Sequence, residues 1–269
     1  MFYHNCKQTK LTYKMKRIIA VFLTLWSIVG IAQTHNYQSG EFLKFRVHYM
    51  GVNAGFATLS VKDATFAGKP HFHVVGKGST SGVSKMFFKV NDTYETYINK
   101  STSLPSKFIR NINEGGYTKN LDMMFNHSAK SVVVNDKKAG KSTTYKFTGA
   151  NMQDMLSSFY YLRDYDTSKL KIGDFINIKM FMDEEEYTFK LKMLGKEVVK
   201  TKWGKINCLK VRPYVAAGRV FKEQESLTVW ITDDKNHIPV NIKASLMVGS
   251  IQAELYEYKG VKNSLTFSK

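Results

Sequence analysis

Cysteine is almost missing from this chain. Only Cys6 and Cys208 occur in 269 residues, and Cys6 falls in a segment expected to be removed, so no internal disulfide can brace the fold. Proline is equally scarce, with four residues. No Pro/Ser-rich linker and no internal repeat divides the chain, which favours one domain over several. Acidic residues number 22 against 40 Lys and Arg, a formal net charge of +18. Such a balance points to nucleic acid only where basic residues cluster with stacking aromatics. Here the lysines are scattered, often at alternate positions, as in "TFKLKML" and "KINCLKV". That is the pattern of solvated strand faces, so no nucleic-acid partner is expected. Weak attraction to anionic lipid or glycan surfaces is compatible with the same charge.

The chain also lacks an apolar run long enough to span a bilayer. Residues Ile18–Ile31 form the best run, broken only by Thr24, Ser27 and Gly30, whereas a membrane helix needs about 20 apolar residues. Lys16 and Arg17 precede the run, and Gly30 and Ala32 close it in the small-x-small pattern that a signal peptidase reads. Residues 1–32 are therefore expected to be a cleavable signal peptide, with Met15 as an alternative start and Gln33 as the first mature residue. No cysteine follows the run, which argues against a lipid-modified anchor, and none spanning the membrane is expected after cleavage. Loss of Lys7, Lys10, Lys14, Lys16 and Arg17 would leave 35 basic residues against 22 acidic, a net +13. The expected location is the periplasm, or outside the cell. The remaining residues, 33–269, are expected to form a single β-rich domain, long enough to stand on a hydrophobic core alone.

What the chain has in abundance is alternation. In "GEFLKFRVHYMGVNAGFATLSV" (Gly40–Val61), Leu43, Phe45, Val47 and Tyr49 share one face while Lys44, Arg46 and His48 share the other. Ala57, Leu59 and Val61 resume the apolar face after the glycine-bearing turn. Period two argues half-buried strands. It returns at Phe72/Val74, Phe88/Val90, Ile176–Met182, Tyr187–Met193, Leu209–Val215, Leu227–Thr232, Pro239–Val248 and Ile251–Tyr258. "DEEE" (Asp183–Glu186) reads as a charged hairpin tip, and "DDKN" (Asp233–Asn236) as a turn. Across Gly249 the apolar phase flips from even to odd positions, which predicts a bulge or tight bend that curves the sheet. One stretch departs from this pattern. "NMQDMLSSFYYLRDYD" (Asn151–Asp166) places apolar residues at helical spacing. The expected fold is therefore all-β: an antiparallel, strongly curved or barrel-like sheet with one amphipathic helix at about residues 151–166.

Catalytic motifs are few and incomplete. "AGKST" (Ala139–Thr143) echoes the end of a phosphate-binding loop, but Asn135 stands where the first glycine is required and strands flank it. "GSTSG" (Gly78–Gly82) has the outline of a nucleophile elbow with Thr80 at its centre, where a serine belongs. His71 and His73 are two apart on a strand, so both rings could reach one ion; they are weak metal candidates, expected on the wet face opposite Phe72 and Val74. Asp92, Glu95, Glu114 and Asp154 could supply a carboxylate pair, although nothing in the spacing brings two together. Asp92 interrupts an apolar face and reads as a buried, partnered acid. Cys208, between apolar neighbours, reads as a buried and inert thiol. No catalytic residue and no cofactor is expected.

Taken in order, the segments "GEFLKFRVHYMGVNAGFATLSV", "FKVNDTYETYI", "LPSKFIRNINEGGY", "DMLSSFYYLR", "VWITDDKNHIPV" and "VGSIQAEL" resemble the domain-of-unknown-function family 3108 of exported bacterial proteins. The likeness runs from about Gly40 to Tyr258. It implies antiparallel β structure in the cell envelope and carries over no catalytic residue.

Three functions fit these observations. The leading one is a non-enzymatic binding or carrier protein for an amphiphile, a lipid or envelope glycan, because a rolled antiparallel sheet commonly makes a ligand-sized interior. Met152, Met155, Leu156 and Phe159 are the residues expected to face it. A structural or interaction module that engages an envelope protein is the alternative, and an envelope hydrolase is third.

Overall fold

The structure, a computed structural model, describes residues 34–82, 84–182, 184–214 and 226–268. The expected leader, residues 1–32, and Asp183 of the acidic tip lie outside the described residues. Among the described residues no helix is long and apolar enough to cross a membrane.

Among the described residues fourteen strands form one sheet. They are β1 (Phe42–Tyr49), β2 (Val52–Phe66), β3 (Lys69–Thr80), β4 (Asn91–Asn99), β5 (Pro105–Glu114), β6 (Tyr117–Asn126), β7 (Ser131–Asp136) and β8 (Lys141–Lys146), then β9 (Phe175–Met182), β10 (Glu185–Thr201), β11 (Gly204–Tyr214), β12 (Leu227–Thr232), β13 (Pro239–Ser245) and β14 (Ser250–Lys259). Two helices among the described residues interrupt them, α1 (Ser84–Phe87) and α2 (Met155–Arg163). The spatial order is β8-β7-β6-β5-β4-β3-β2-β1-β14-β13-β12-β11-β10-β9. Neighbouring strands pair antiparallel throughout, with β1 beside β14 joining the two ends of the chain order. The expected fold class is thus the observed one.

The sheet rolls until its two edges face each other. Tyr145 on β8 lies 6.0 Å from Phe181 on β9, ring to ring, yet no ladder joins these strands. The gap is bridged by the chain that leads from β8 into α2. Gln153 donates its N–H to Lys179 O (2.8 Å), and its own carbonyl accepts from Phe181 N–H (2.9 Å). Beside it Glu186 accepts from the N–H groups of Thr148 (2.7 Å) and Gly149 (3.2 Å). The acidic tip therefore serves as a clasp at Glu186 as well as a turn. Bulges supply the curvature; in β10 the register shifts between Met193 and Gly195, where the glycine takes φ +144°.

Three local expectations need correction. The Phe88/Val90 strand is not formed: α1 stands immediately before it, Phe88 is exposed, and Val90 makes only an isolated bridge to Glu114. The helix expected over 151–166 is the shorter α2. Gln153 is occupied as a bridging residue, Asp154 is the N-cap, and Asp164 turns away to accept from Asn36 N–H (2.6 Å). Gly249 does mark a tight bend, but the bend is a hairpin reversal between β13 and β14 rather than a curve within one strand. Ala244 pairs with Ile251 and Ile242 with Ala253, so even positions on one strand share a face with odd positions on the next. The phase flip is the parity of that hairpin, and Val248 is left exposed at its tip.

Three apolar clusters result. The first lies under β2–β7 and includes Val61, Phe72, Val74, Ile98, Phe108 and Met123 together with Met152, Leu156 and Tyr160. The second gathers Leu43, Phe45, Ile206, Cys208, Trp230 and Leu255. The third lies under β9–β11, built from Ile176, Ile178, Met180, Leu191, Leu209 and Val211.

Candidate functional site: an apolar cavity beside a pinned helix

Helix α2 is fixed at both ends by buried polar groups. At its start Asp154 accepts from the N–H groups of Leu156 and Ser157 (both 2.8 Å) and from the Thr96 hydroxyl on β4 (2.6 Å). Ser157 Oγ accepts in return from Asp154 N–H (2.8 Å), completing a capping box. Asp154 is fully buried. Burial raises its carboxyl to about 6, against the lowering effect of the hydrogen bonds from Thr96, Ser157 and Leu156.

At the other end Arg163 is 1% exposed, as is Glu41 just before β1. The guanidinium holds Glu41 by a forked pair of bonds, Nη1 to Oε1 and Nη2 to Oε2, the latter 2.9 Å. It also donates through Nε to Asn236 O (2.8 Å) and through Nη2 to Asn36 O (3.2 Å). The Asn236 amide donates to Asn263 O (2.9 Å). The partners are 122 and 73 residues from Arg163 in sequence. Five donors in a rigid plane make arginine the residue suited to such a junction.

Between these pins the helix presents two stripes. Met152, just before the helix, and Leu156, Tyr160 and Arg163 are buried, and the apolar three belong to the filled cluster under β2–β7. Gly76 on β3 permits this approach: a Cβ there would lie 3.2 Å from Leu156 Cδ2 and 3.3 Å from Leu59 Cδ2. Met155, Phe159 and Leu162 form the adjacent stripe, spaced four and three apart. They border an apolar cavity of about 440 Å³ whose other walls come from β9–β13, among them Met180, Phe189, Val211, Val229 and Ile242. Ligand pockets commonly have about 300–1,000 Å³, so the space suits a small hydrocarbon group. The cavity's few polar groups are already bonded: His237 Nδ1 donates to Arg163 O (3.0 Å), which leaves Nε2 to accept from the Thr167 hydroxyl (3.0 Å).

The four candidates from the helix pattern are thus divided. Met155 and Phe159 line the cavity, while Met152 and Leu156 lie in the filled core. The two histidines do not share a wet face. His71 is 1% exposed; its Nδ1 donates to Lys69 O (2.8 Å), so Nε2 accepts from the Ser106 hydroxyl (2.8 Å). His73 instead donates to Glu95 (2.7 Å) and stacks on Tyr97. Among the described residues no three His, Cys, Asp or Glu side chains gather as a metal site. The acids are dispersed as well. Asp92 is buried and accepts from Asn113 N–H (2.9 Å), Glu95 holds His73, and Asp154 caps the helix. Burial pushes the Cys208 thiol up to about 12, which makes it a poor nucleophile.

A second hollow of about 650 Å³ lies on the sheet's outer face, with Lys210, Arg212, Lys243 and Gln252 in its walls. The interior cavity differs in being apolar and roofed by a helix.

Sequence reasoning missed the Arg163–Glu41–Asn236 junction. Its only trace was that all three residues fall in segments quoted for the family resemblance, "DMLSSFYYLR", "GEFLKF" and "TDDKNHIP".

Comparison with known proteins agrees with the fold. The family model described as "Protein of unknown function (DUF3108)" matches residues 44–256. A crystal structure of a beta-barrel-like protein of domain of unknown function DUF1849 from Brucella abortus superposes with a TM-score of 0.54 at 9% identity, covering 81% of this chain and 96% of that one. At that identity the likeness concerns the fold alone. None of the curated proteins compared with the chain matches it.

Proposed function

The chain belongs to the DUF3108 family, and from that premise we propose that it is a non-enzymatic binding or carrier protein of the cell envelope that holds the hydrocarbon part of a lipid. The observation that carries this reading is the apolar cavity of about 440 Å³ between helix α2 and strands β9–β13. An apolar lining favours an acyl chain over a glycan, whose hydroxyls would be left without partners there. Met155, Met180 and Met182 give the wall adaptable side chains suited to a flexible chain. The pinned helix explains why the space stays open, since collapse onto the cavity would break the buried bonds at Asp154 or Arg163. Delivery to the periplasm would follow from the leader read over residues 1–32.

The test has two parts. Native mass spectrometry of protein purified from its own envelope fraction is expected to show a co-purifying lipid mass. Titration of the delipidated chain with a fluorescent polyene fatty acid is expected to saturate, and to be weakened by Phe159→Ala and blocked by Val229→Phe. Absence of uptake, or uptake that neither substitution changes, would overturn the assignment.

A further inference from the structure

The loops at one rim of the sheet are unusually apolar. In an antiparallel sheet alternate connections lie along one edge, and here, among the described connections, that rim carries β1–β2, β3–β4, β5–β6, β7–β8, β9–β10 and β13–β14. Eight of the thirteen large apolar side chains exposed among the described residues stand on it. Scattered surface apolar residues need no explanation, whereas a concentrated set marks a contact surface. The principal ones are Met50 (65% exposed), Val52, Met86 (85%), Phe88, Met247 and Val248 (74%). Hairpin tips ordinarily carry Gly, Asn, Asp or Ser.

The tips touch one another, so the set is continuous. Met50 N–H donates to Ser250 O (3.0 Å), and the Tyr49 hydroxyl donates to Val248 O (3.1 Å). Ser81 N–H reaches Ala54 O (2.9 Å), and Gly115 N–H reaches Lys89 O (2.9 Å). Met50 takes φ +49°, a left-handed conformation that glycine or asparagine adopts more easily. A bulky thioether held outward in that conformation indicates a use for the side chain itself.

The charges beside these tips are basic. Lys85 and Lys89 flank Met86 and Phe88, and Lys138 and Lys141 stand at the β7–β8 turn, all four exposed. Asp136 in that turn is occupied in accepting from the N–H groups of Lys138 and Ala139 (both 2.9 Å). The β9–β10 tip, with Glu184 and Glu185 exposed, lies beyond the apolar stripe and sets its limit. Apolar tips bordered by lysines match the interface of an anionic bilayer, with apolar groups at the acyl boundary and ammonium groups at the phosphates. We propose that this rim docks the protein onto an anionic lipid surface, with Met50, Met86, Phe88 and Val248 entering the interface. The surface is distinct from the cavity and does not depend on the cavity's contents. Met182, Tyr187, Pro213 and Leu227 of the cavity wall do sit toward the same edge of the sheet.

Residues 34–269 form one compact unit that contains all three apolar clusters, so the test uses the chain from Gln33, free of the apolar leader. Flotation with phosphatidylglycerol–phosphatidylcholine vesicles is compared with flotation on phosphatidylcholine alone. Binding is expected only to the anionic vesicles and is expected to weaken as salt shortens the Debye length. The exposed-tip double variant Met86→Ser/Val248→Ser is expected to lower partitioning by about tenfold or more, with unchanged thermal unfolding and unchanged fatty-acid uptake. The reverse pattern is expected of Val229→Phe, which keeps vesicle binding, so failure of the rim and failure of the cavity are distinguishable. Equal flotation of the double variant and the unmodified chain would overturn the proposal. So would concentration-dependent dimers, seen by sedimentation without vesicles, that the same variant abolishes, because the rim would then serve a second copy of the chain.

Discussion

Under strands β2–β7 the inner face of the sheet is sealed by large side chains, whereas under β9–β13 the same face stands open over about 440 Å³. Helix α2 borders both regions. On its sealed side Leu156 and Tyr160 belong to one buried cluster with Phe72, Val74 and Phe108. On its other side Met155, Phe159 and Leu162 line the opening together with Val211, Val229 and Ile231. The difference is not one of polarity, since both walls are apolar. Buried polar pins at Asp154 and Arg163 hold the helix at both ends, between the two. A protein interior normally closes such gaps because each lost contact forfeits dispersion energy. The proposal of a bound hydrocarbon rests on an opening maintained between fixed supports.

The hardest way to break this arrangement is to remove a pin. Arg163→Met should cost about 3–5 kcal/mol, the usual penalty for leaving a buried charge unpaired, because Glu41 is as deeply buried as its partner. Urea unfolding would measure it. A loss below about 1 kcal/mol would show that apolar packing alone positions the helix.

The two stripes can then be set against each other. Leu156→Ala should cost about 2–5 kcal/mol, as in a well-packed core. Phe159→Ala should cost only roughly 1 kcal/mol, because one side of its ring already lacks neighbours, while fatty-acid uptake falls. Equal losses would mean that the cavity closes in solution and that both stripes belong to a single core.

The capping acid gives a smaller effect that depends on pH. The Asp154 carboxyl is raised to about 6 from an ordinary 3.8 because the charged form is buried. A carboxyl whose folded pKa is raised favours the fold in its protonated form. That stabilisation is complete below about pH 4 and is lost as the pH rises through 6. Relative to Asp154→Asn, which cannot ionise, the unmodified chain should therefore lose about 2–3 kcal/mol between pH 4 and pH 8. Paired denaturant titrations across that range would reveal it. A difference independent of pH would show that Asp154 keeps an ordinary pKa.

How much of this was readable in the sequence follows from the range of each interaction. Alternation marks a strand wherever one face is buried and the other wet, which is why β1, β9, β10 and β13 were legible from single segments. It failed at Phe88 and Val90, where apolar residues alternate but stand at an exposed rim. It gave only a weak sign of β7 and β8, "SVVVND" and "KSTTYK", read as strands flanking "AGKST" although runs of one kind conceal the period. The helix was legible as a helix, yet its two stripes were not. Positions 152, 155, 156 and 159 fall on one broad apolar arc, and only the depth of the opposing wall separates them. The Arg163 junction joins residues more than 70 positions apart, beyond any local pattern.

The most sensitive probe of the contrast adds volume instead of removing it. Val134 on β7 is 3% exposed in the sealed cluster, so Val134→Phe must displace neighbours and should cost about 1–3 kcal/mol. Val229 on β12 is only partly buried and faces the opening, so the ring of Val229→Phe can enter empty space. Its stability should remain within about 0.5 kcal/mol of the unmodified chain, the ordinary range for a substitution that breaks nothing. Differential scanning calorimetry of the two variants beside the parent would detect the split, and fatty-acid titration of the β12 variant should show the site filled. If Val229→Phe proves as costly as Val134→Phe, the opening is closed in solution and the two regions are one core. If it is neutral and still takes up fatty acid, the hydrocarbon binds elsewhere on the protein.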